Sequence, residues 1–355
     1  MVKTVRDGRR APELASAHWA LGETSFRRLD VNPQSVAWRL ETGTGAYLLK
    51  RHRPGATAAS LALQAQATAA LAEGGFALTP PPVAAADGSV YLDCEGALHT
   101  LTRFVDADQR FDWTQPAWTD AHRRAAGAAL ASLHNCGQAV AAGLPALPPS
   151  PYPSLSGWLA ESLSAAARLQ ASADQGSWLA EIVAGSDLAG GRCAAACARA
   201  AGESHQRTLA HGDYHPGNVL FRKAAGSPGQ PVVAAVLDLD HLHCGSPLMD
   251  LGYAAIFFCA AWEGMHAVDE TAAAALIAGY LEGCADGSLA DRLASLPLNE
   301  ALRPHIELAC LLCLYWLIDR YIEGISCGQQ SAAAGLIGPI EHIWRTMSSI
   351  PYNPD

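Results

Sequence analysis

The first part of the chain alternates hydrophobic and polar residues in the way that half-buried β-strands do. Residues 35–41 (Ser-Val-Ala-Trp-Arg-Leu-Glu) alternate, the Gly-containing turn 42–45 follows, and 46–51 are predicted to form the return strand. Residues 57–73 have instead the apolar spacing of a helix, with a Gly-Gly pair placed to end it. The other elements predicted here are a helical lead-in over 1–22 and short strands over 83–86, 90–92 and 99–105. The pattern therefore predicts a small sheet with one helix.

From Trp118 onward the spacing of apolar residues becomes that of long helices. The predicted helices cover residues 118–136, 155–171, 176–201, 249–263, 270–283, 300–323 and 330–347. Two short apolar runs, 218–221 and 232–237, are predicted strands, and the Gly- and Pro-rich stretch 223–231 is expected to be a surface bend. The fold class is therefore predicted to be α+β, with a small antiparallel sheet followed by a larger, mostly helical region.

Composition limits the classes of partner. The chain has 355 residues, enough for two lobes that share a cleft, and half of its residues are hydrophobic while 16% are charged, which argues against disorder. Its formal net charge of −10 argues against nucleic acid or an anionic membrane as the main partner. The same charge would suit a cationic small substrate, although many ordinary proteins are equally acidic.

The sequence has neither an export pattern nor a clear disulfide framework. Residues 1–7 are charged and lack the apolar core of a signal peptide, and the longest apolar run, 308–318, is too short to cross a bilayer. A cytoplasmic location is therefore expected. Most of the ten cysteines are expected to be small buried residues of apolar helices. The best metal candidate, residues 241–244 (His-Leu-His-Cys), is better explained as a loop beside a strand.

One stretch carries the chemistry. Residues 211–218 read His-Gly-Asp-Tyr-His-Pro-Gly-Asn, and the apolar run that follows ends in an Asp-Leu-Asp sequence. An aspartate, an asparagine five positions later and a second aspartate at a strand end form the pattern with which kinase-like enzymes transfer a phosphoryl group. Asp213 would take the proton of an attacking hydroxyl, while Asn218 and Asp238 would offer Mg²⁺ the oxygen ligands that it prefers. A simple capped turn would leave Asp238 and the upstream sheet unexplained.

These motifs resemble the aminoglycoside phosphotransferase and choline kinase family. The resemblance rests on residues 209–221, 236–240 and 245–251, with support from 130–134. It implies a bilobal protein-kinase-like fold, with an N-terminal nucleotide-binding lobe over 1–103 and a C-terminal helical lobe over 104–355 that holds the catalytic loop and the substrate pocket. It also implies ATP and Mg²⁺ as cofactors and a small molecule with a hydroxyl group as the acceptor.

The C-terminal lobe has further candidate residues. His211 is expected to pack under the catalytic loop, and His215 to contact the loop backbone. Asp250 would cap the helix that follows it, and the resemblance implies that it braces the catalytic loop; both roles are structural. Asp240, two residues after Asp238, is expected to point the same way. Three roles stay open for Asp240: a metal contact, a substrate contact or a surface acid.

In the N-terminal lobe, the resemblance places Lys50 against the ATP phosphates. A strand-end surface lysine is one alternative, and the neighbouring Arg51 is a competitor for the phosphate contact. Gln64 lies near the position of the family's usual glutamate, and a glutamine can hydrogen-bond a lysine but cannot neutralise it. The phosphate-covering turn would be 31–35, which lacks a glycine-rich pattern. Arg103 and Val105 would lie in the hinge, where backbone groups bind adenine.

The substrate wall is expected to come from the C-terminal helices. Trp262 with Glu263 is one candidate pair, and Trp316 with Asp319 is another. An aromatic ring beside an acid would suit an ammonium group through cation–π attraction. The alternative is that Trp316 is a core residue and that Asp319 and Glu323, four residues apart, form a solvated helix face.

The sequence therefore predicts an ATP- and Mg²⁺-dependent kinase of a small hydroxyl compound. The expected acceptor is an amino alcohol, amino acid or amino sugar, such as a choline-, homoserine- or aminoglycoside-like compound. An antibiotic-inactivating phosphotransferase and a nucleotide-binding pseudokinase regulator are the alternatives, and Gln64 is the one feature that favours the pseudokinase. A protein kinase is disfavoured because the stretch between Asp238 and Asp250 is too short for a regulated activation loop.

Overall fold

The structure is a computed structural model that describes residues 7–32, 35–111, 118–144, 146–172, 177–201, 207–224, 226–259 and 268–350. Contacts between residues divide the chain into two units, residues 1–107 and 108–355. The first unit is built on an antiparallel sheet and the second is mostly helical, so the predicted α+β class is confirmed. The functional division predicted at residue 103 stays a prediction.

In its described residues, the first unit has a five-stranded antiparallel sheet and two helices. Its elements are α1 (Asp7–His18), β1 (Thr24–Asn32), β2 (Ser35–Thr42), β3 (Gly45–Arg51), α2 (Ala58–Glu73), β4 (Leu92–Cys94) and β5 (Ala97–Arg103). The strands lie in the order β1-β2-β3-β5-β4. β2 and β3 form the predicted hairpin, in which Val36 lies opposite Arg51 and Thr42 lies opposite Gly45.

Alternation along β3 decides which of its side chains enter the core of this unit. Tyr47 and Leu49 are buried and belong to one hydrophobic cluster with Ala15 of α1 and with Trp19, which follows α1. Successive side chains of a strand point to opposite faces, so the half-buried Lys50 lies on the face opposite to Leu49. The prediction that Leu49 faces the core is confirmed.

α2 begins where the sequence predicts because its first turn is capped on both sides. Thr57 Oγ1 accepts a hydrogen bond from the Ser60 backbone at 3.1 Å, and Ser60 Oγ accepts one from the Thr57 backbone at 3.0 Å. Leu61 and Thr68 are buried on one stripe of the helix. Gln64 lies between them on that stripe, so its half-buried side chain is on the inner side of α2.

In the described part of the second unit there are ten α-helices. They are α3 (Asp120–Gly143), α4 (Tyr152–Ser172), α5 (Ser177–Ala184), α6 (Ser186–Ala201), α7 (Pro247–Phe258), α8 (Glu270–Gly283), α9 (Gly287–Ser295), α10 (Leu298–Ser326), α11 (Gln330–Ala334) and α12 (Ile337–Ser349). α10 has 29 residues and packs against α4, α6, α7 and α12. Among the described residues, its segment Glu300–Ser326 is the one helix long and apolar enough to cross a membrane, and 83% of the apolar window is buried inside the structure. Such burial is typical of a core helix.

α3 and α8 approach each other closely at two glycines. A Cβ atom on Gly127 would collide with the backbone of Leu276, and one on Gly279 would collide with the backbone of Arg124. Only glycine permits this contact between the two helix backbones. The same pair of helices brings a histidine of α3 and a tyrosine of α8 into the hydrogen-bonded network described below.

Short strands carry the motif that the sequence singles out. β6 (Gln109–Arg110), β8 (Val219–Ala224) and β9 (Ser227–Val236) form one sheet, and β7 (Thr208–Ala210) pairs with β10 (His243–Gly245). In the β8–β9 hairpin Val219 lies opposite Val236. The residues just before β8 and just after β9 therefore lie at the same end of the hairpin.

Several predicted elements are wrong in detail. Residues 83–86 are not a strand, and the neighbouring Pro82 makes only an isolated bridge to Thr102. The predicted helix 176–201 is interrupted at Gly185, where a Cβ atom would collide with the Trp344 ring. The predicted bend 223–231 is mostly strand.

Two elements lacked a clear sequence pattern. β1 reads Thr-Ser-Phe-Arg-Arg-Leu-Asp-Val-Asn, in which charged residues interrupt any simple alternation. α9 is a short helix that the sequence analysis did not predict, and Asp286 caps it by accepting hydrogen bonds from the backbones of Ser288 and Leu289, each at 3.1 Å.

Candidate active site

The geometry of the loop after β7 depends on one glycine. Gly212 has a φ of +79°, a conformation that residues with a side chain rarely adopt. A Cβ atom here would also collide with the backbone of His241. Asp213 follows this turn directly, and a short 3₁₀ helix, Pro216–Asn218, begins three residues later.

Asp250 on α7 holds this loop through its backbone. Its carboxylate accepts hydrogen bonds from the backbone N–H groups of His211, at 2.6 Å, and of Gly212, at 2.8 Å. His134 Nε2 lies 3.0 Å from the same carboxylate, and its Nδ1 lies 2.9 Å from the Tyr280 hydroxyl. Burial would raise the pKa of Asp250, but the hydrogen bond and charge of His134, with the charges of other histidines, lower it. Asp250 is therefore an ionised brace under the loop.

The interpretation of Asp250 as a helix cap is wrong. Ser246 is the N-cap of α7, and its Oγ accepts from the Leu248 backbone at 3.2 Å. Asp250 lies inside the helix, in its first turn, where its side chain is free to reach the loop instead. The sequence could not separate the two roles because both need an acid near the start of the helix.

His211 lies under the loop, fully buried. Its Nε2 donates a hydrogen bond to the Leu237 carbonyl at 2.9 Å, and its Nδ1 accepts one from the Asp213 backbone at 3.2 Å. His211 thus connects the loop to the chain that leaves β9, one residue before Asp238.

Asp213 is surrounded by donors. Its Oδ1 accepts a hydrogen bond from the Tyr253 hydroxyl at 2.5 Å, and its Oδ2 accepts one from Asn218 Nδ2 at 3.2 Å. His215 Nε2 lies 3.6 Å from Oδ2, which is too long for a good hydrogen bond but close enough for electrostatic attraction. Burial would raise the pKa of Asp213, but His215, His241 and the Tyr253 hydroxyl together hold it well below the ordinary aspartate value. The carboxylate is therefore ionised at neutral pH.

His215 contacts the loop backbone, as its predicted role requires. Its Nδ1 accepts a hydrogen bond from the Gly217 backbone at 3.0 Å, which caps the 3₁₀ helix. The ring packs near Phe257 of α7, with 5.6 Å between the ring centroids. Tyr214, between the two polar residues, is fully buried and donates to the Ala126 carbonyl at 2.8 Å. The loop is thus anchored to both α3 and α7.

Asn218 and Asp238 fit the oxygen donor set of Mg²⁺. Asn218 Nδ2 donates to the Asp213 carbonyl at 2.9 Å as well as to its carboxylate, so the amide nitrogen is committed and Oδ1 remains as an acceptor. The Asn218 carbonyl accepts a hydrogen bond from the Leu237 backbone N–H at 2.8 Å. Because Leu237 directly precedes Asp238, this bond places Asp238 at the same end of the hairpin as Asn218. One amide oxygen and one carboxylate are hard donors of the type that Mg²⁺ prefers.

Asp238 has a feature that the sequence did not reveal. Its φ is +66°, in the left-handed region that few residues other than glycine adopt. Such strained conformations concentrate at functional sites. The turn also means that no strand continues from Asp238 to Asp240, so the prediction that both point the same way has lost its basis. Asp240 is half-buried, and its backbone N–H lies 3.4 Å from Asp238 Oδ1.

The histidines of residues 241–244 do not form a metal site together. His241 packs against Trp316, with ring centroids 4.5 Å apart, whereas His243 is buried near Tyr152. Within the described residues no group of three or more His, Cys, Asp or Glu side chains could hold a metal ion. The ten cysteines are free thiols.

The candidate residues of the first unit lie on β3, α2 and the end of β5. Lys50 and Gln64 are both half-buried, and their pairing stays a prediction. The Arg103 side chain packs over the Tyr47 ring and donates to the Thr44 carbonyl at 3.0 Å, so its side chain is directed toward the hairpin turn. Val105 follows β5 and is half-buried. The phosphate-covering turn predicted at 31–35 includes residues 33–34, which lie outside the described residues.

The predicted substrate wall is described only in part. Trp262 and Glu263 lie outside the described residues. Trp316 on α10 is half-buried and its ring lies 6.4 Å from that of Tyr253, which places it beside the residues that surround Asp213. Asp319 and Glu323 are exposed, as the solvated-face alternative predicts.

Tyr253 is the contact of Asp213 that the sequence analysis missed. It lies in an apolar run of α7, three residues after Asp250, so the two side chains share a helix face. That spacing is the one signal in the sequence that could have linked Tyr253 to the loop.

A comparison with known protein families decides the family. The model of a family described as "Phosphotransferase enzyme family" matches residues 30–294, about three quarters of the chain. The chain belongs to this phosphotransferase family. The predicted resemblance and the prediction of a phosphotransferase enzyme are thereby confirmed. No curated protein sequence matches the chain.

Solved structures of phosphotransferases share the fold. A spectinomycin phosphotransferase with bound ADP and spectinomycin has a TM-score of 0.55 and 13% identity, over 97% of this chain and 94% of that one. A Plasmodium vivax ethanolamine kinase has a TM-score of 0.58 and 11% identity, over 98% and 95%. An aminoglycoside phosphotransferase with bound GDP and kanamycin has a TM-score of 0.58 and 15% identity, over 94% and 98%. At these identities the likeness is one of fold.

Proposed function

We propose that the protein transfers the γ-phosphoryl group of ATP, in the presence of Mg²⁺, to a hydroxyl group of a small molecule. The acceptor class is an amino alcohol, an amino acid or an amino sugar. The observation that carries the proposal is the carboxylate of Asp213, which is ionised, fixed by Asn218 and Tyr253, and placed at the end of a loop braced by Asp250. A fixed anionic oxygen is what a base that accepts a hydroxyl proton must provide.

In this proposal each residue has a separate task. Asp213 orients the acceptor hydroxyl and takes its proton as the oxygen bonds to phosphorus. Asn218 Oδ1 and the Asp238 carboxylate hold Mg²⁺, which when bound neutralises charge on the nucleotide phosphates. Lys50 pairs with the nucleotide phosphates, with Gln64 as its neutral partner.

Several features support a small acceptor of cationic character. The chain passes from Asp238 to the start of α7 at Pro247 through one turn and the short strand β10, which leaves no room for a long activation segment. The chain carries a net charge of −10, which attracts cations, and the half-buried Trp316 lies beside the neighbours of Asp213. Relatives of the same fold are named for ethanolamine and for aminoglycosides, which are cationic alcohols.

The test is an acceptor screen that measures ADP or GDP release. ATP and GTP would each be supplied with Mg²⁺ and with ethanolamine, choline, homoserine, kanamycin or spectinomycin as the acceptor. We expect nucleotide diphosphate release that depends on one acceptor class. Asp213→Asn should keep nucleotide binding and reduce turnover by about a hundredfold or more. Asp291→Asn, which alters an exposed aspartate of α9, is the matched control and should retain full turnover.

The alternatives give different results in the same screen. A pseudokinase regulator would bind nucleotide without turnover of any acceptor. An antibiotic-inactivating enzyme would turn over kanamycin or spectinomycin and would raise the antibiotic concentration that stops growth of a host cell. Full turnover in Asp213→Asn would contradict the assignment of the base.

The metal assignment has its own readout, which is nucleotide binding rather than turnover. Asn218→Ala and Asp238→Ala each remove one oxygen donor, so the affinity for ATP should depend less on Mg²⁺ than in the wild type. Titration of ATP at several Mg²⁺ concentrations measures this dependence. An unchanged Mg²⁺ dependence in Asp238→Ala would shift the assignment to Asp240 or contradict a metal site at this position.

A further inference from the structure

A tyrosine hydroxyl touches the candidate base directly. Tyr253 Oη lies 2.5 Å from Asp213 Oδ1, a short distance for a hydrogen bond between a hydroxyl and a carboxylate. Tyr253 is only 4% exposed, so its hydroxyl has exchanged water for this contact. An ionised carboxylate can only accept, so the tyrosine proton points at Oδ1.

The ring of Tyr253 is fixed by its surroundings. Its centroid lies 4.9 Å from that of Phe257 on the same helix and 6.4 Å from that of Trp316 on α10. The Trp316 ring in turn packs against His241, with 4.5 Å between the ring centroids. Since the ring cannot move freely, the hydroxyl is a rigid donor.

The two oxygens of Asp213 are therefore held from two elements. Tyr253 of α7 fixes Oδ1, and Asn218, the last residue of the 3₁₀ helix before β8, fixes Oδ2. Two donors on different oxygens define the plane of a carboxylate, whereas one donor leaves it free to rotate about the Cβ–Cγ bond. Each oxygen still has a second lone pair for an acceptor hydroxyl.

We propose that Tyr253 is a positioning residue for phosphoryl transfer, whose hydroxyl fixes the plane of the Asp213 carboxylate toward the acceptor hydroxyl. The inference rests on the proposed function, in which Asp213 is the base. Two effects of the contact oppose each other. A donor on the carboxylate makes it a weaker base, while fixed orientation makes proton transfer more frequent. The positioning role requires that orientation is the larger effect.

The kinetic test is Tyr253→Phe, which removes the hydroxyl and keeps the ring. We expect kcat with the best acceptor of the screen to fall about tenfold to hundredfold, while KM for ATP stays within about twofold. Tyr321→Phe removes the hydroxyl of another buried tyrosine, packed against Trp178, and should leave kcat unchanged. A merely structural role would lower the unfolding midpoint of Tyr253→Phe without changing kcat below that midpoint, and this result would overturn the proposal. A rise in kcat would overturn it as well.

A structural measurement separates this inference from the proposed function. If no acceptor gives turnover in the wild type, the proposed function fails without reference to Tyr253. Crystal structures of the wild type and of Tyr253→Phe then test the positioning step, with the angle of the Asp213 carboxylate plane as the readout. We expect one orientation in the wild type and a rotated or divided carboxylate in the variant. The same single orientation in both structures would contradict the proposal.

Discussion

Two buried carboxylates of the second unit, Asp250 on α7 and Glu307 on α10, are held in different ways. Each is 1% exposed. Asp250 accepts two backbone hydrogen bonds from the loop that carries Asp213, and a third contact from His134. Glu307 instead accepts from two guanidinium groups, Arg192 at 2.6 Å and Arg199 at 2.9 Å. Asp250 thus holds a backbone, whereas Glu307 holds side chains.

The difference indicates what each carboxylate can control. A backbone N–H group cannot move without its loop, so Asp250 determines where the loop lies. A guanidinium group sits on a flexible stem, so Glu307 ties α6 to α10 but leaves each helix room to adjust. Arg192 extends this tie to the Ile350 carbonyl, at 2.8 Å, just after α12. We therefore expect Asp250 to affect turnover and stability, and Glu307 to affect stability alone.

The largest effect is expected from Asp250→Ala. It would leave two buried backbone donors and His134 without their acceptor, at a cost of about 3–5 kcal/mol in the free energy of unfolding. Turnover should fall about a hundredfold because the loop under Asp213 is no longer fixed. Urea unfolding and diphosphate release measure the two effects. Asp250→Asn keeps one acceptor oxygen, so it should lose less stability and less turnover than Asp250→Ala. Normal turnover in folded Asp250→Ala would contradict the role of Asp250 as a brace.

Glu307→Gln should cost about 3 kcal/mol in the free energy of unfolding, because the buried guanidinium group of Arg192 and the partly exposed one of Arg199 lose their anionic partner. Turnover well below the unfolding midpoint should stay within about twofold of the wild type. The double variant Arg192→Met with Glu307→Leu removes both charges of the closer pair and should be less destabilised than Glu307→Gln. A large loss of turnover in folded Glu307→Gln would remove the contrast with Asp250.

The sequence could predict the parts of the site that depend on spacing along the chain. The Asp213–Asn218 interval, the strand before Asp238 and the β2–β3 hairpin follow from local patterns that the structure retains. Contacts between distant segments left no such pattern. The Tyr253–Asp213 contact joins residues 40 positions apart, and the tyrosine lies in a run of apolar residues that looks like ordinary core.

Other features depend on backbone conformation, which residue type alone does not fix. Asp238 adopts a left-handed φ, which an aspartate tolerates but which its residue type does not predict. Asp250 could cap or brace, and only the position of Ser246 four residues earlier decides between them. β1 was not predicted because it has no alternating pattern of its own. It forms by pairing with β2, from Thr24 opposite Thr42 to Asp30 opposite Val36.

A smaller effect is expected in the pH dependence of stability. The pKa of Asp250 is lowered in the folded protein, since its hydrogen bonds and the neighbouring histidines outweigh its burial. A lowered pKa stabilises the folded state above the unfolded aspartate pKa of about 4, and this stabilisation is lost as the pH falls through the folded value. The free energy of unfolding should therefore fall less steeply below about pH 4 in Asp250→Asn than in the wild type. Equal slopes for the two proteins would mean that Asp250 is not an ionised brace.

The smallest effect is expected from Ser246→Ala. Ser246 caps α7 through the Leu248 backbone, and loss of a serine cap costs about 1 kcal/mol in the free energy of unfolding. The Asp250 contacts to the loop do not involve Ser246, so turnover should stay within about twofold of the wild type. Urea unfolding and diphosphate release, measured beside Asp250→Ala, compare the hydroxyl of Ser246 with the carboxylate of Asp250 at the start of the same helix. A loss of turnover as large as that of Asp250→Ala would mean that the cap and the brace act as one unit, and that the loop depends on the whole first turn of α7 rather than on a single carboxylate.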